Sequence, residues 1–137
     1  MRLSSMADYA IVTLGATARH CGGARTNASA IAVETGLPVP TVQKLVSRLS
    51  AAGLLRSVRG GGGGFSLARP AAAITIADII EAVEGPIAMT MCSDGASECA
   101  IEGDCAVRPH WPQVNRAIRG ALETITLAEL AAEKVPA

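Results

Sequence analysis

The strongest constraint on the fold is a pair of short helical patterns joined by a tight turn at Leu37-Pro38. The first pattern runs from Asn27, a good N-cap residue, to Gly36, and we expect it to bury Ala30, Ile31 and Val33. The second runs from Val39 to Ala52 and places four residues on one apolar face: Val42, Leu45, Val46 and Leu49. Two helices joined in this way form a helix-turn-helix, whose second helix enters the DNA major groove in proteins that bind DNA.

A run of five glycines, Gly60 to Gly64, follows these helices. It lies between two segments with strand character, Leu54 to Val58 and Phe65 to Ala68, and therefore predicts a β-hairpin with a glycine tip, or wing. Because glycine lacks Cβ, such a tip can approach a phosphate or let Arg59 enter a narrow minor groove, with Gly60 and Gly61 beside it. A nucleotide-binding P-loop is excluded, since no Lys-Ser or Lys-Thr follows the run.

Helices are also predicted on both sides of this unit. Residues 5 to 20 form the first, with Ser5 and Asp8 spaced as a capping box and an apolar stripe at Tyr9, Val12 and Ala16. Thr75 and Asp78 cap a helix that closes the DNA-binding unit.

A further helix begins at Pro109 or Pro112 and carries apolar residues at alternating spacings of three and four, a seam of about two heptads: Trp111, Val114, Ile118, Ala121 and Ile125. Thr126 and Glu129 cap a last short helix. The sequence thus predicts a mainly α fold with a small β wing and a long C-terminal dimerisation helix. Its parts are a DNA-binding domain over 1–86, a cysteine loop over 87–108, and the dimerisation and final helices over 109–137.

The net charge of zero conceals a strong segregation of charge. Residues 1–73 hold eight Lys or Arg and two Asp or Glu, whereas residues 74–137 hold four and ten. A basic N-terminal half indicates a polyanionic partner, and with the helix-turn-helix this partner is double-stranded DNA.

The candidate DNA contacts lie in the first turns of the second helix of the motif. Gln43 can form two hydrogen bonds with an adenine edge, and Thr41, next to Pro40, offers a hydroxyl and a methyl group. Lys44 can reach guanine acceptors or a phosphate, and Arg48, one turn further on, is placed to hold a phosphate.

Three of the four cysteines lie in one acidic, glycine-containing segment with the spacing C-x6-C-x5-C: Cys92, Cys99 and Cys105. Three thiolates in a loop that can curl are able to converge on one metal or cluster. Zinc favours C-x2-C pairs, so the wide spacing favours an iron-sulfur cluster, although zinc stays open. The fourth ligand is also open between His110, near in sequence, and Asp8, arriving from another subunit.

The same cysteine pattern indicates a reduced, cytoplasmic protein rather than a disulfide-bonded secreted one. No stretch approaches about 18 apolar residues, so no membrane span is expected. A thiol enzyme is disfavoured, because no Cys-x-x-Cys motif or Cys-His arrangement activates a nucleophile.

These motifs together resemble the IscR, NsrR and RirA family of winged-helix iron-sulfur regulators. The resemblance covers nearly the whole chain and includes MRLSSMADYA, TVQKLVSRLSAAGLLRSVRGGGGGFSLAR and ITIADIIEAVEG. Within the family, CAIEGDCAVRPHW is similar to the branch that regulates sulfur-mobilisation (SUF) cluster-assembly genes. The resemblance implies a homodimeric repressor whose operator affinity depends on a [2Fe-2S] or [4Fe-4S] cluster.

Carried over by position, the resemblance makes Cys92, Cys99 and Cys105 the cluster thiolates and Arg59 the arginine of the wing. It favours Asp8 of the partner subunit over His110 as fourth ligand, because Arg108 intervenes where the IscR branch has its histidine. The alternative function is a zinc-stabilised, or nitric-oxide- or redox-responsive, winged-helix regulator of other genes.

Overall fold

A computed structural model describes residues 2–20, 25–58, 64–89 and 106–132. Six α-helices, two strands and two short 3-10 helices occupy these ranges. In chain order they are α1 (Ser5–Arg19), α2 (Ala28–Thr35), α3 (Val39–Ala51), β1 (Leu55–Val58), β2 (Gly64–Leu67), a 3-10 helix (Ala71–Ala73), α4 (Ile76–Glu84), a 3-10 helix (Arg108–His110), α5 (Trp111–Glu123) and α6 (Leu127–Ala131). The predicted fold class, mainly helical with a small wing, is confirmed.

The helix boundaries follow from local capping. Asn27 accepts a hydrogen bond from Ala30 N at the start of α2, and Gly36 ends that helix with a φ of 81°. The predicted capping box of Thr75 with Asp78 is present at α4, as is the box at the start of α6. The cap of α1 is Ser4 and not Ser5, because the Ser4 hydroxyl is the group that accepts from Ala7 N.

The core is aliphatic and is shared by helices from both ends of the chain. The fully buried large aliphatic residues are Leu14 of α1, Ile31 of α2, Val42, Leu45 and Leu49 of α3, Leu54 before β1, Ile74 and Ile79 around α4, and Leu127 of α6. The predicted apolar face of α3 is therefore confirmed, with Val46 packed at its edge.

Two predicted apolar faces are each partly wrong: Ala16 of α1 and Ile31 of α2 are buried as predicted, whereas Val12, Ala30 and Val33 are exposed. In α1 the helix buries Ala7, Ala10 and Leu14, while Val12 points to the opposite side and is exposed. In α2 only Ile31 and Ala32 are buried, and Val33 is 87% exposed. Both helices are rich in alanine, so hydrophobicity alone does not distinguish their faces.

The last helix returns to the core instead of extending away from it. Leu127 is completely buried, and its backbone N donates to the carbonyl of Ile74 at 2.8 Å. Thr126 forms a β-bridge with Thr75, and α6 packs against α1. By packing, α6 thus completes the core of the unit formed by α1 to α4.

One polar group in this core lacks a partner among the described residues. The Thr13 hydroxyl on α1 is fully buried and makes no hydrogen bond there, whereas the Thr17 hydroxyl, one turn later, donates to Thr13 O at 2.8 Å. An unpaired buried hydroxyl destabilises a fold, while a paired one does not.

Thr13→Val is therefore expected to raise the free energy of unfolding by about 1 kcal/mol, because it removes an unpaired hydroxyl without changing the volume. Thr17→Val is the matched control and should lower it by about 1 kcal/mol, since it removes a hydrogen bond that is made. Chemical denaturation of both variants measures these changes. A loss of stability in Thr13→Val would contradict the assignment.

Candidate nucleic-acid interface and cysteine segment

The recognition surface is formed by the side of α3 that faces away from the core. Three residues on this side, Gln43, Lys44 and Arg48, are exposed, and none forms an ion pair or side-chain hydrogen bond with the described residues. The polar groups of these side chains are therefore available to bases and phosphates.

The N-terminus of α3 is also open. Its N-cap is Pro38, which has no side chain able to accept a hydrogen bond from the first-turn amides. Pro40 is exposed in this first turn, and Thr41 is partly buried beside it. A helix N-terminus without a cap favours phosphate, because free amides and the helix dipole both attract an anion.

The wing is held against the segment that precedes α2. Strands β1 and β2 pair antiparallel from Leu55 opposite Leu67 to Val58 opposite Gly64. Thr26 N donates to Phe65 O at 2.9 Å and Phe65 N donates to Thr26 O at 2.8 Å. This one-residue bridge, near the N-terminal end of β2, fixes the wing relative to the helix-turn-helix.

Gly64 is the residue that makes this pairing possible. We predicted it to lie in the tip of the hairpin, but it lies in β2. A Cβ atom at this position would stand 2.3 Å from Thr26 O, so only glycine fits without a shift of the backbone. The pairing of Thr26 with β2 has no signal in the sequence, because a one-residue bridge has no recognisable pattern. The predicted contacts Arg59, Gly60 and Gly61 lie outside the described residues.

The two arginines beside the hairpin, Arg56 and Arg69, differ in their surroundings. Arg56 of β1 is exposed, whereas Arg69, just after β2, lies 3.7 Å from the Asp78 carboxylate in the capping box of α4. Arg69 is thus partly neutralised within the chain, and Arg56 is the better placed of the two to meet a phosphate.

Cys92, Cys99 and Cys105 lie outside the described residues, but the chain on both sides of their segment is described. On the N-terminal side, Met89 N donates to Asn115 Oδ1 of α5 at 2.9 Å. On the C-terminal side, a 3-10 turn closed by His110 N donating to Val107 O at 2.9 Å leads directly into α5. Because Asn115 is one turn from the start of α5, both ends of the cysteine segment are held at the same end of this helix.

The two candidate fourth ligands are both accessible. Asp8 lies in the first turn of α1, is exposed, and its carboxylate makes no hydrogen bond or ion pair with the described residues. His110 is exposed at the end of the 3-10 turn. Three cysteine thiolates together with one carboxylate or imidazole form a donor set that fits a metal or an iron-sulfur cluster.

Comparison with known proteins identifies the family to which this fold and these motifs belong. The model of the Rrf2 family, described as an iron-dependent transcriptional regulator, matches residues 3–133. The chain belongs to the Rrf2 family. It is 34% identical over 130 residues to the transcriptional regulator IscR of Yersinia pseudotuberculosis, covering 95% of this chain and 79% of that protein.

Solved Rrf2-type structures agree with the fold. CymR, the global cysteine regulator of B. subtilis, superposes with a TM-score of 0.77 at 30% identity, covering 98% of this chain and 99% of CymR. IscR of T. potens superposes with a TM-score of 0.72 at 27% identity, covering 100% of this chain and 94% of that one. The resemblance seen in the sequence is confirmed. This Rrf2 protein is a transcription regulator with a DNA-binding winged helix, and not an enzyme.

Across the described ranges, the Rrf2 chain has no helix that is both long enough and apolar enough to cross a membrane.

The contact between Gly64 and Thr26 leads to a test of the wing. Gly64→Ala should lower the free energy of unfolding by about 2 kcal/mol, because the new methyl group must displace backbone. It should also weaken binding to DNA fragments selected from a random pool by the unsubstituted protein, since the N-terminal end of β2 moves. Denaturation and electrophoretic mobility shifts measure the two effects.

Gly15→Ala is the control for this change. Among the described residues, a Cβ at position 15 would have only the flexible end of Arg19 within 4 Å, at 3.9 Å. The variant should therefore gain about 0.5 kcal/mol in free energy of unfolding from helix propensity. If the Gly64→Ala and Gly15→Ala variants had the same free energy of unfolding, the proposed clash between a Cβ at position 64 and Thr26 O would be wrong.

Proposed function

We propose that this protein is a cytoplasmic, homodimeric repressor of iron-sulfur cluster assembly genes of the SUF type, controlled by an iron-sulfur cluster. The observation that carries the proposal is the anchoring of both ends of the cysteine segment at one end of α5. Because the two ends of the segment lie close together, its three thiolates would be able to converge on one site. The similarity to IscR and to the iron-dependent family model supports the same conclusion.

Recognition of the operator is assigned to α3 and the wing. Gln43 and Thr41 contact base edges, Lys44 contacts guanine or phosphate, and Arg48 holds the backbone. Pro40 starts the helix at the groove. Arg59, Gly60 and Gly61 at the tip of the wing enter the adjacent minor groove, where a narrow groove attracts a guanidinium.

Dimerisation is assigned to α5. None of its residues is buried, although Trp111, Val114 and Ile118 form an apolar row along it. These three side chains are only half-buried within the chain. An apolar row that its own chain covers in part indicates a further partner, and a second copy of α5 provides a self-complementary one. Ile125, which we placed in the seam, lies beyond the end of α5 and is 39% exposed. The seam therefore ends within the helix, which stops at Glu123.

Cys92, Cys99 and Cys105 would hold the cluster, and Asp8 of the partner subunit would complete the set. Asp8 is favoured over His110 because it stands where the resemblance places the aspartate ligand, and its carboxylate is exposed and without a partner among the described residues. The cluster, in its [2Fe-2S] or [4Fe-4S] form, would supply a redox- and iron-sensitive group between the two subunits. The protein's own part is to hold the thiolates, and to change operator affinity when they are released.

The cluster is tested by anaerobic purification with iron, sulfide and zinc analysis and a visible spectrum. We expect a coloured protein, loss of colour in Cys99→Ser, and weakened or altered colour in Asp8→Ala, because each removes a ligand. His110→Ala is the control and should keep the spectrum unchanged. Colourless protein with one zinc per chain would instead establish the zinc-stabilised regulator, and an effect confined to His110 would reassign the fourth ligand.

Arg59→Ala tests the wing in DNA recognition. We expect operator affinity to fall by about 10- to 100-fold, since a minor-groove arginine is removed, while the cluster and the dimer stay intact. Arg116→Ala, an exposed arginine on α5, is the matched control and should bind DNA normally. Fluorescence anisotropy at fixed salt measures both, and unchanged affinity in Arg59→Ala would remove the wing from the interface.

A further inference from the structure

The carboxylate of Glu81, on α4, connects three parts of the molecule. Its Oε1 accepts a hydrogen bond from Arg119 Nε of α5 at 2.8 Å, and Arg119 Nη2 lies 2.8 Å from the same oxygen. Its Oε2 accepts from the backbone N of Ile87 at 3.3 Å. Ile87 opens the stretch that leads to the cysteines, so one side chain holds α4, α5 and the entrance of the cysteine segment together.

The contact between Glu81 and Arg119 is partly exposed to solvent, so it positions the helices rather than adding much to the free energy of unfolding. The side chains of Glu81 and Arg119 are 25% and 39% exposed, and ion pairs with this much solvent contribute little to the free energy of unfolding. The hydrogen bond that Arg119 donates to the Glu81 carboxylate raises the pKa of Arg119 above its usual value. Arg119 also contacts Glu123, on its own helix, which orients it along α5.

Helix α4 is in direct contact with α3, the second helix of the helix-turn-helix. It packs against α1, α3 and α5. Ile79 and Ile80, on its buried face, immediately precede Glu81 along the helix. A change in how Glu81 holds α5 therefore acts on a helix that touches α3 directly. No long chain of intermediate contacts is required.

A second hydrogen bond ties Met89, two residues after Ile87, to helix α5. Met89 N donates to Asn115 Oδ1, and Asn115 precedes Arg119 by one helical turn on α5. The stretch 87–89 is thus bonded once to α4 and once to α5. Any movement of residues 87–89 must therefore break or lengthen one of these two hydrogen bonds. Their acceptors, Glu81 and Asn115, lie on the two helices that pack together, α4 and α5.

We propose that Glu81 is a positioning residue that couples the state of the cysteine segment to the orientation of α3, through its paired contacts with Arg119 and Ile87. The inference rests on the proposed function, because it concerns how release of the thiolates reaches DNA. While Glu81 binds both partners, α4 and α5 keep one orientation. When the hydrogen bond from Ile87 breaks, α5 moves relative to α4 and the operator-binding surface changes.

The test compares operator affinity with and without the cluster in the unsubstituted protein, Arg119→Ala and Glu81→Gln. Allosteric couplings change affinity by about 5- to 150-fold. We expect a ratio of this size in the unsubstituted protein and a ratio near one in Arg119→Ala, with cluster content and dimer mass unchanged. Glu81→Gln, which keeps the shape but not the charge, should give an intermediate ratio.

Glu123→Ala is the control, because it removes a contact of Arg119 within α5 and leaves the link to α4 in place. It should keep the full ratio. Amide hydrogen exchange of Ile87 gives a readout independent of the cluster: protection should fall in Glu81→Ala and persist in Glu123→Ala.

The outcomes separate the two proposals. A ratio near one in the unsubstituted protein would overturn the cluster-controlled regulator, and this inference with it. A full ratio in the unsubstituted protein that persists in Arg119→Ala would overturn the coupling alone. Absence of the cluster from Arg119→Ala would also overturn it, since Arg119 would then serve cluster binding instead of coupling.

Discussion

The structure depends on the burial of one helix, α1, among four others. Its buried face combines small residues, Ala7 and Ala10, with Leu14, and α2, α3, α4 and α6 all pack around it. Alanines on this face let the neighbouring backbones approach closely, which compensates for a chain with only three aromatic residues. The positions of the recognition helix and of α4 both follow from this packing.

The segregation of charge in the sequence corresponds to two different uses of charge in the fold. Lys44 and Arg48, on α3, are exposed without partners among the described residues and remain available to DNA. The acidic residues of α4 are engaged within the chain, since Asp78 caps the helix and faces Arg69 while Glu81 holds Arg119. The basic half thus provides an external surface, and these acids organise the internal geometry.

Much of the fold could be predicted because its signals are local. Gly36 and Gly53 adopt the positive φ that ends or follows a helix, and the Thr75 and Asp78 box is a short motif with a definite mechanism. Features that depend on distant contacts were missed. The pairing of Thr26 with Phe65, the exposure of Val33 and the link from Glu81 to Arg119 all arise from tertiary packing, which periodicity does not encode.

For the candidate site, the sequence indicates which chemical groups are available better than it indicates where they lie. The polar face of α3 lies where the helix-turn-helix pattern places it, because the apolar residues opposite leave no other choice. The preference for Asp8 over His110 as fourth ligand rests only on a resemblance, since a ligand from another subunit leaves no spacing to recognise. The anchoring of Met89 by Asn115 joins residues 26 positions apart and has no signature in the sequence.

The return of Leu127 to the core has a consequence for how assembly and folding depend on each other. Thr126 pairs with Thr75 and Leu127 is buried in the winged-helix core, so the C-terminal end of α5 is tethered to that core. A ligand that binds only the folded form adds its binding free energy to the stability of that form. A partner subunit on α5 would therefore stabilise the whole DNA-binding unit, and the resistance of this unit to unfolding would rise with protein concentration.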